Sequence, residues 1–417
     1  MSAIARNLFL RTLAGLKHGY LQFTIGEVTY GFGDASSPLQ AAITVHDESF
    51  FDRAVFFGDI GLGESYMDGG WSTPDLVAAM RVAVRNLEVL ESGNRLLSLL
   101  GRTMNALAHR RRDNTQSGSR RNIAYHYDLG NDFYRLFLDS NLAYSCAYFE
   151  NLDDSLERAQ VRKFDRICRK LQVTSADHLL EIGTGWGGFA AYAASAYGCS
   201  VTTTTISRQQ YEYSQQLFAR LGKSNRIELL FEDYRNLTGR YDKIVSIEMF
   251  EAVGHRHYDD YFMVCDRLLQ PDGAMLLQTI TMAESKFHRY LGQSDWIQKY
   301  IFPGAELASV AEIIRALARS TRFRLHHLEE IGMHYAETLH EWRRRFHEHL
   351  AEVEQLGYGP RFIRMWDYYL AYCEGAFRER YIGDVQLLLS KTGNPRRLMN
   401  EPGRGTTNEQ EWSLSGL

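Results

Sequence analysis

Apolar residues between Arg6 and Leu16 recur at the spacing of one helix face, and Tyr20 to Phe32 then alternates like a strand, punctuated by Gly26 and Gly31. This opening predicts a small α+β module. Glycines at 58, 61, 63, 69 and 70 read as turns between further short elements, and the module closes near Asn86. From Leu97 to Arg121 the chain becomes basic and then polar, which predicts a linker. Its run His109–Arg112 suits either a solvated helix end or a contact to lipid phosphates.

A different rhythm begins at Asp177. Leu179–Ile182 reads as a strand, Gly183–Gly188 as a loop, and Phe189–Tyr197 as a helix rich in small residues. Further strands are expected at Val201–Ile206, Ile227–Phe231, Lys243–Ile247 and Ala274–Ile280. Between them, Ser207 is the expected cap of a helix reaching Leu221, and Tyr258–Leu269 is a helix leading into a turn at Pro271–Gly273. Five strands with intervening helices predict an α/β, doubly wound sheet. The expected division is an α+β module over 1–100, a basic linker over 101–121, a larger domain over 122–393 and a flexible tail over 394–417.

Composition narrows the classes. With 417 residues, 45% of them hydrophobic and 24% charged, the chain is long and apolar enough for a substantial core, which excludes a disordered or fibrous protein. A net charge of −4 argues against a general nucleic-acid binder. Five widely spaced cysteines without a CxxC pair suggest neither a disulfide framework nor a structural zinc site, and fit a reducing interior. No apolar stretch is long enough to span a bilayer, and the first twenty residues lack the pattern of a secretion signal, but the chain can still lie against a membrane. The 24 Tyr and 22 Phe must line something large, either core or pocket.

The loop Gly183–Gly188 (GTGWGG) satisfies G-x-G-x-x-G and offers backbone amides at a helix mouth. A dinucleotide site wants an acidic residue at the end of the second strand, where this chain has Thr204–Ser207. The carboxylate of Glu181, two residues before the first glycine, instead resembles the arrangement of S-adenosylmethionine methyltransferases. After the third strand, Asp233 and Tyr234 are placed to bracket an adenine, although an ordinary polar loop fits that spacing equally well.

Five runs together carry a resemblance: Gly61–Gly69 (GLGESYMDG), Tyr144–Phe149 (YSCAYF), the glycine loop, Phe250–Gly254 (FEAVG) and Lys299–Gly304 (KYIFPG). Over about residues 20–390 the chain resembles the cyclopropane-fatty-acyl-phospholipid synthases. The resemblance implies a class I methyltransferase (Rossmann-like) fold and transfer of a methylene carbon from S-adenosylmethionine to a cis double bond of a phospholipid acyl chain. Attack by an alkene leaves a carbocation, suited to aromatic surroundings, and ring closure needs a general base. In the family that base is a bound bicarbonate ion, and the matching positions here are Cys146, Glu251, Ile280 and Tyr335, with Cys146 and Ile280 acting through backbone groups. At a fifth position, where many members have His, this chain has Gln278, whose amide can hold an anion but takes no charge. Product identity turns on that change: a cyclopropane is expected, with a methylene or methyl-branched acyl chain as alternatives and a non-catalytic lipid-binding protein as the alternative of another class.

For S-adenosylmethionine the resemblance implies Tyr144, Ser145, Gly183, Gly185, Thr205, Gln210, Asp233 and Tyr234. It also implies an unsaturated phospholipid partner, cytoplasmic work at the inner face of a membrane, and an N-terminal module that serves dimerisation, hence a homodimer, and lipid engagement. Outside that context Cys146 reads as a small buried residue, Tyr335 as core and Glu251 as a helix-start carboxylate. Histidines 340, 347 and 349 read as a solvated helix face rather than metal ligands, and no metal is expected.

Overall fold

The computed structural model describes residues 2–93, 118, 129–151, 153–291 and 293–395. Apart from Gly118, the expected linker over 101–121 lies outside these residues, as does all but the first two positions of the tail over 394–417. The chain folds into two units. One gathers the described part of Met1–Arg112 with His288–Pro303 and Leu339–Ile382, and the other comprises the described part of Asp113–Phe287, Gly304–Thr338 and Gly383–Leu417. Two stretches expected within the 122–393 domain therefore group with the N-terminal module.

In the first unit β1 (Tyr20–Ile25) and β2 (Val28–Gly33) form an antiparallel hairpin, β3 (Gln40–Val45) lies parallel to β1, and β4 (Trp71–Ser72) closes the order β2-β1-β3-β4. Phe23 from β1 packs with Phe9, Phe50 and Phe51, ring centroids 5.2 to 6.4 Å apart. Gly58 does interrupt the helical span Ser49–Met67, with φ 59°, while Gly61 and Gly63 lie within the helix that follows and separate no elements. At Gly63 the reason for glycine is close approach, since an added Cβ would stand 2.4 Å from the Trp296 indole. Local ties explain the grouping with the two later stretches: Glu64 accepts from Lys299 and Tyr300 at 2.6 Å each, Tyr66 donates to Asp367 at 2.8 Å, and Arg81 pairs with Glu379 at 2.6 Å. Asp367 also takes Arg343 and His347 at 2.7 Å, so His347 sits in an ion-pair cluster rather than on a purely solvated face.

The second unit is built on seven strands. They are β5 (His178–Ile182), β6 (Ser200–Thr204), β7 (Ile227–Leu230), β8 (Tyr241–Ile247), β9 (Leu269–Met282), β10 (Phe323–Glu330) and β11 (Ile382–Lys391), in the order β10-β11-β9-β8-β5-β6-β7. Neighbours from β7 to β9 pair in parallel, while β10 and β11 are antiparallel. This is the doubly wound sheet expected from the sequence, enlarged by two strands. The Pro271–Gly273 segment belongs to the long β9, where the register against β8 slips between Tyr241 and Lys243.

Alternation along the strands explains the two-sided sheet. Leu179 and Leu276 join one core with Phe164, Phe189 and Leu217 from the helices on their side. Leu180 and Leu277 join another with Tyr261, Phe262, Ile313 and Leu317. Ser207 caps the helix Arg208–Arg220 by accepting from the Gln210 amide, as its position predicts. Among the described residues no helix is long and apolar enough to cross a membrane.

Candidate active site

In an open parallel sheet ligands bind beyond the carboxyl ends of the strands, where order reverses about the first strand. Here that edge carries the glycine loop after β5, Thr205 after β6, Asp233 and Tyr234 after β7, and Glu248–Glu251 after β8. The amides of Gly183 and Thr184 donate to the Thr204 carbonyl at 3.1 Å each, tying the loop to β6. Gly185 sits at φ 54°, and an added Cβ there meets nothing within 4 Å, so its backbone borders open space. Such a cradle fits S-adenosylmethionine approaching the main chain.

The other residues expected at the cofactor are placed as follows. Thr205 donates its hydroxyl to the Gln210 side-chain oxygen at 2.9 Å. Glu181 is buried and accepts from Thr203 at 2.5 Å, while Thr203 also meets Thr184 at 2.7 Å, so this carboxyl ties β5 and the loop to β6. Burial pushes it up to about 8. Asp233 receives both the backbone amide and the guanidinium of Arg235, and Tyr234 lies edge-on to Tyr261 at 5.4 Å. Tyr144 packs against Tyr134, and Ser145 accepts from the buried Lys163 ammonium at 2.5 Å.

Beside them lies a cluster of carboxyl groups. Glu248 begins the turn after β8 with φ 48°, a left-handed conformation that side-chain-bearing residues seldom adopt. Its amide donates to the Gln278 carbonyl at 2.8 Å. One carboxylate oxygen accepts from the Cys146 amide at 2.7 Å and from Gln278 Nε2 at 2.8 Å, and the other from the Tyr335 hydroxyl at 2.7 Å. Glu251 Oε1 accepts from the Ile280 amide at 2.5 Å and from the Thr279 hydroxyl at 2.9 Å, while its Oε2 is buried without a hydrogen-bond partner. Asp384, from β11, shares Gln278 Nε2 at 3.2 Å, and its Oδ1 is likewise buried and unpartnered.

The glutamine's orientation is dictated from behind. Gln386 donates to Gln278 Oε1 at 2.9 Å, and Lys170 donates to Gln386 Oε1 at 2.7 Å and to Glu329 at 2.5 Å. Both Gln278 Nε2 hydrogens are thereby directed at carboxyl groups. Burial, and then the Glu248 charge, push Glu251 up to about 7. Burial also raises Glu248, and Asp384 is raised by burial and by both glutamates. Lys163 is lowered by burial. Burial and the charges of Asp384 and Glu248 raise the Cys146 thiol well above its ordinary range, so it is no thiolate nucleophile.

Cys146, Gln278 and Tyr335 are thus brought together, but on Glu248, and Glu251 meets Ile280 and Thr279. Glu248, Asp384 and Lys163 were not among the residues expected from the sequence. Glu248 lies three positions before Glu251, within a strand end that alternation alone marks as ordinary.

A family model described as mycolic acid cyclopropane synthetase matches residues 114–387. The chain belongs to this cyclopropane synthetase family. It is 40% identical over 355 residues to the cyclopropane-fatty-acyl-phospholipid synthase of Escherichia coli strain K12, covering 84% of this chain and 88% of that one. It is 37% identical over 402 residues to the tuberculostearic acid methyltransferase of Mycobacterium tuberculosis, covering 94% of this chain and 92% of that one. A solved mycolic acid cyclopropane synthase in complex with SAH and CTAB is 33% identical, with a TM-score of 0.62 over 65% of this chain and 98% of that one. As a cyclopropane synthetase family member with this sheet, the protein is an S-adenosylmethionine-dependent methyltransferase of class I fold.

Proposed function

We propose that the protein transfers a one-carbon unit from S-adenosylmethionine to the cis double bond of an unsaturated acyl chain in membrane phospholipid, closing a cyclopropane. The relative of that name in Escherichia coli supports the substrate. The observation that carries the chemistry is the Glu248 carboxylate, held by Cys146, Gln278 and Tyr335 beside the glycine loop's edge of the sheet. Ring closure is the step that needs such a proton acceptor.

Tyr144, Ser145, Glu181, Gly183, Gly185, Thr205, Gln210, Asp233 and Tyr234 are the residues proposed to hold or shape the site of S-adenosylmethionine. When bound, it supplies an electrophilic methyl group. The protein's share is orientation and exclusion of water, because an isolated alkene is a weak nucleophile and the cation it becomes is consumed by water. The enzyme works at the cytoplasmic face of a membrane, and its N-terminal unit serves lipid engagement and formation of a homodimer.

The tuberculostearic acid methyltransferase relative, similar over almost the whole chain, favours a second reading in which the product is a methylene or methyl-branched chain. Incubation with S-adenosylmethionine and unsaturated phospholipid tests both. Mass spectrometry should show a gain of about 14 Da for a cyclopropane or methylene product, with NMR separating the two, and a gain of about 16 Da for a saturated methyl branch only when a hydride donor is added to reduce the methylene chain. No mass gain in any unsaturated phospholipid would overturn the substrate assignment.

A further inference from the structure

The donors that the resemblance assigns to bicarbonate are already engaged. The Cys146 amide, Gln278 Nε2 and the Tyr335 hydroxyl end on the two oxygens of Glu248 at 2.7, 2.8 and 2.7 Å, and the Ile280 amide ends on Glu251 at 2.5 Å. A carboxylate and bicarbonate both present two acceptor oxygens on a trigonal carbon, so one side chain satisfies what the free ion needs. Bicarbonate does not fit beside Glu248 in this arrangement. We propose that Glu248 is the protein's own proton acceptor, occupying the anion's place, and that the protein works without bicarbonate.

Two further observations support this. Glu248 keeps a side chain at φ 48°, and such backbone strain concentrates where a function holds it. Its surroundings also suit a base that must take and release a proton: burial favours the protonated form, while the Lys163 ammonium and the hydrogen bonds from Tyr335, Cys146 and Gln278 favour the charged one. The chemical role rests on the proposed reaction. One C–H bond of the methyl carried onto the acyl chain breaks, its proton passes to Glu248, and its electron pair closes the ring on the adjacent cationic carbon. The carboxylate and the cation are neutralised together, and no further reactant is required.

The test has a binding arm and a turnover arm. Titrating bicarbonate into the protein saturated with S-adenosylhomocysteine should give no saturable heat for the wild type. Glu248→Gly, a residue suited to φ 48°, should bind the ion because its three donors are released. Saturable binding by the wild type would overturn the proposal. In turnover with unsaturated phospholipid, the wild type should run within about twofold of the same rate in carbonate-free and bicarbonate-supplemented buffer. Glu248→Gln, with S-adenosylhomocysteine affinity retained, should lose about 100-fold or more, the usual worth of a positioned base. Bicarbonate should partly restore Glu248→Gly. A rate for Glu248→Gln close to wild type, or a wild type that stops without bicarbonate, would overturn the base assignment. If the wild type modifies no lipid, the substrate reading and the base role fall together, while the binding arm still decides whether Glu248 fills the anion's place.

Discussion

At Glu251 one carboxylate oxygen is satisfied twice and the other, though buried, has no hydrogen-bond partner. An orphaned acceptor of this kind favours the protonated form, in line with the rise to about 7 from an ordinary 4.5. Because the folded state binds this proton more tightly than the unfolded chain, the group's contribution to stability is complete below pH 4.5 and is lost as pH climbs through about 7. Urea unfolding across that window should show a fall of up to about 3 kcal/mol. Glu251→Gln should lessen the fall, leaving the share of the other raised carboxyls, Glu181, Glu248 and Asp384, and an unchanged slope in the variant would mean that Glu251 titrates normally. The sequence names Glu251, but nothing in its spacing reveals the raised affinity for a proton. That property comes from burial and then from the charge of Glu248, neither of which the spacing discloses.

Elements were legible where pattern and punctuation agree. The strands β5 to β9 and the helix capped by Ser207 follow from alternation broken by glycine or a capping residue. β11 escaped notice because Val385 and Leu387–Leu389 are buried as a continuous run instead of alternating, and β10 because Phe323–Glu330 carries mostly polar side chains. Gly61 and Gly63, within the Ser49–Met67 span, are not turns for another reason. At Gly63 glycine serves a tertiary contact, with Trp296 more than two hundred positions away. Gly63→Ala should therefore destabilise the first unit, not stiffen a helix, by about 1–3 kcal/mol, the usual cost of overpacking. Chemical denaturation would register it as a lower midpoint, whereas a gain in stability would show that the indole has room to retreat.

For the molecule as a whole, family membership gives the fold and donor class, while the acceptor has to be argued from the site. S-adenosylhomocysteine is the simplest probe of that division. At 100 times its Kd it should add about 2.7 kcal/mol to the unfolding free energy of the second unit and raise its Tm. Gly185→Val, which forces a branched side chain into a left-handed conformation at φ 54°, should abolish most of that gain. A wild type indifferent to the ligand would instead favour the non-catalytic alternative.

The first unit is assembled from three stretches, the last ending at Ile382. During synthesis its opening strands and helices must wait, with Trp296 and Asp367 still unmade, until the chain has been made as far as Ile382. Domains usually fold in order as they emerge. Here the two units interleave, the second closing only with β11, so no single cut in the gene can release the first as an independent fragment.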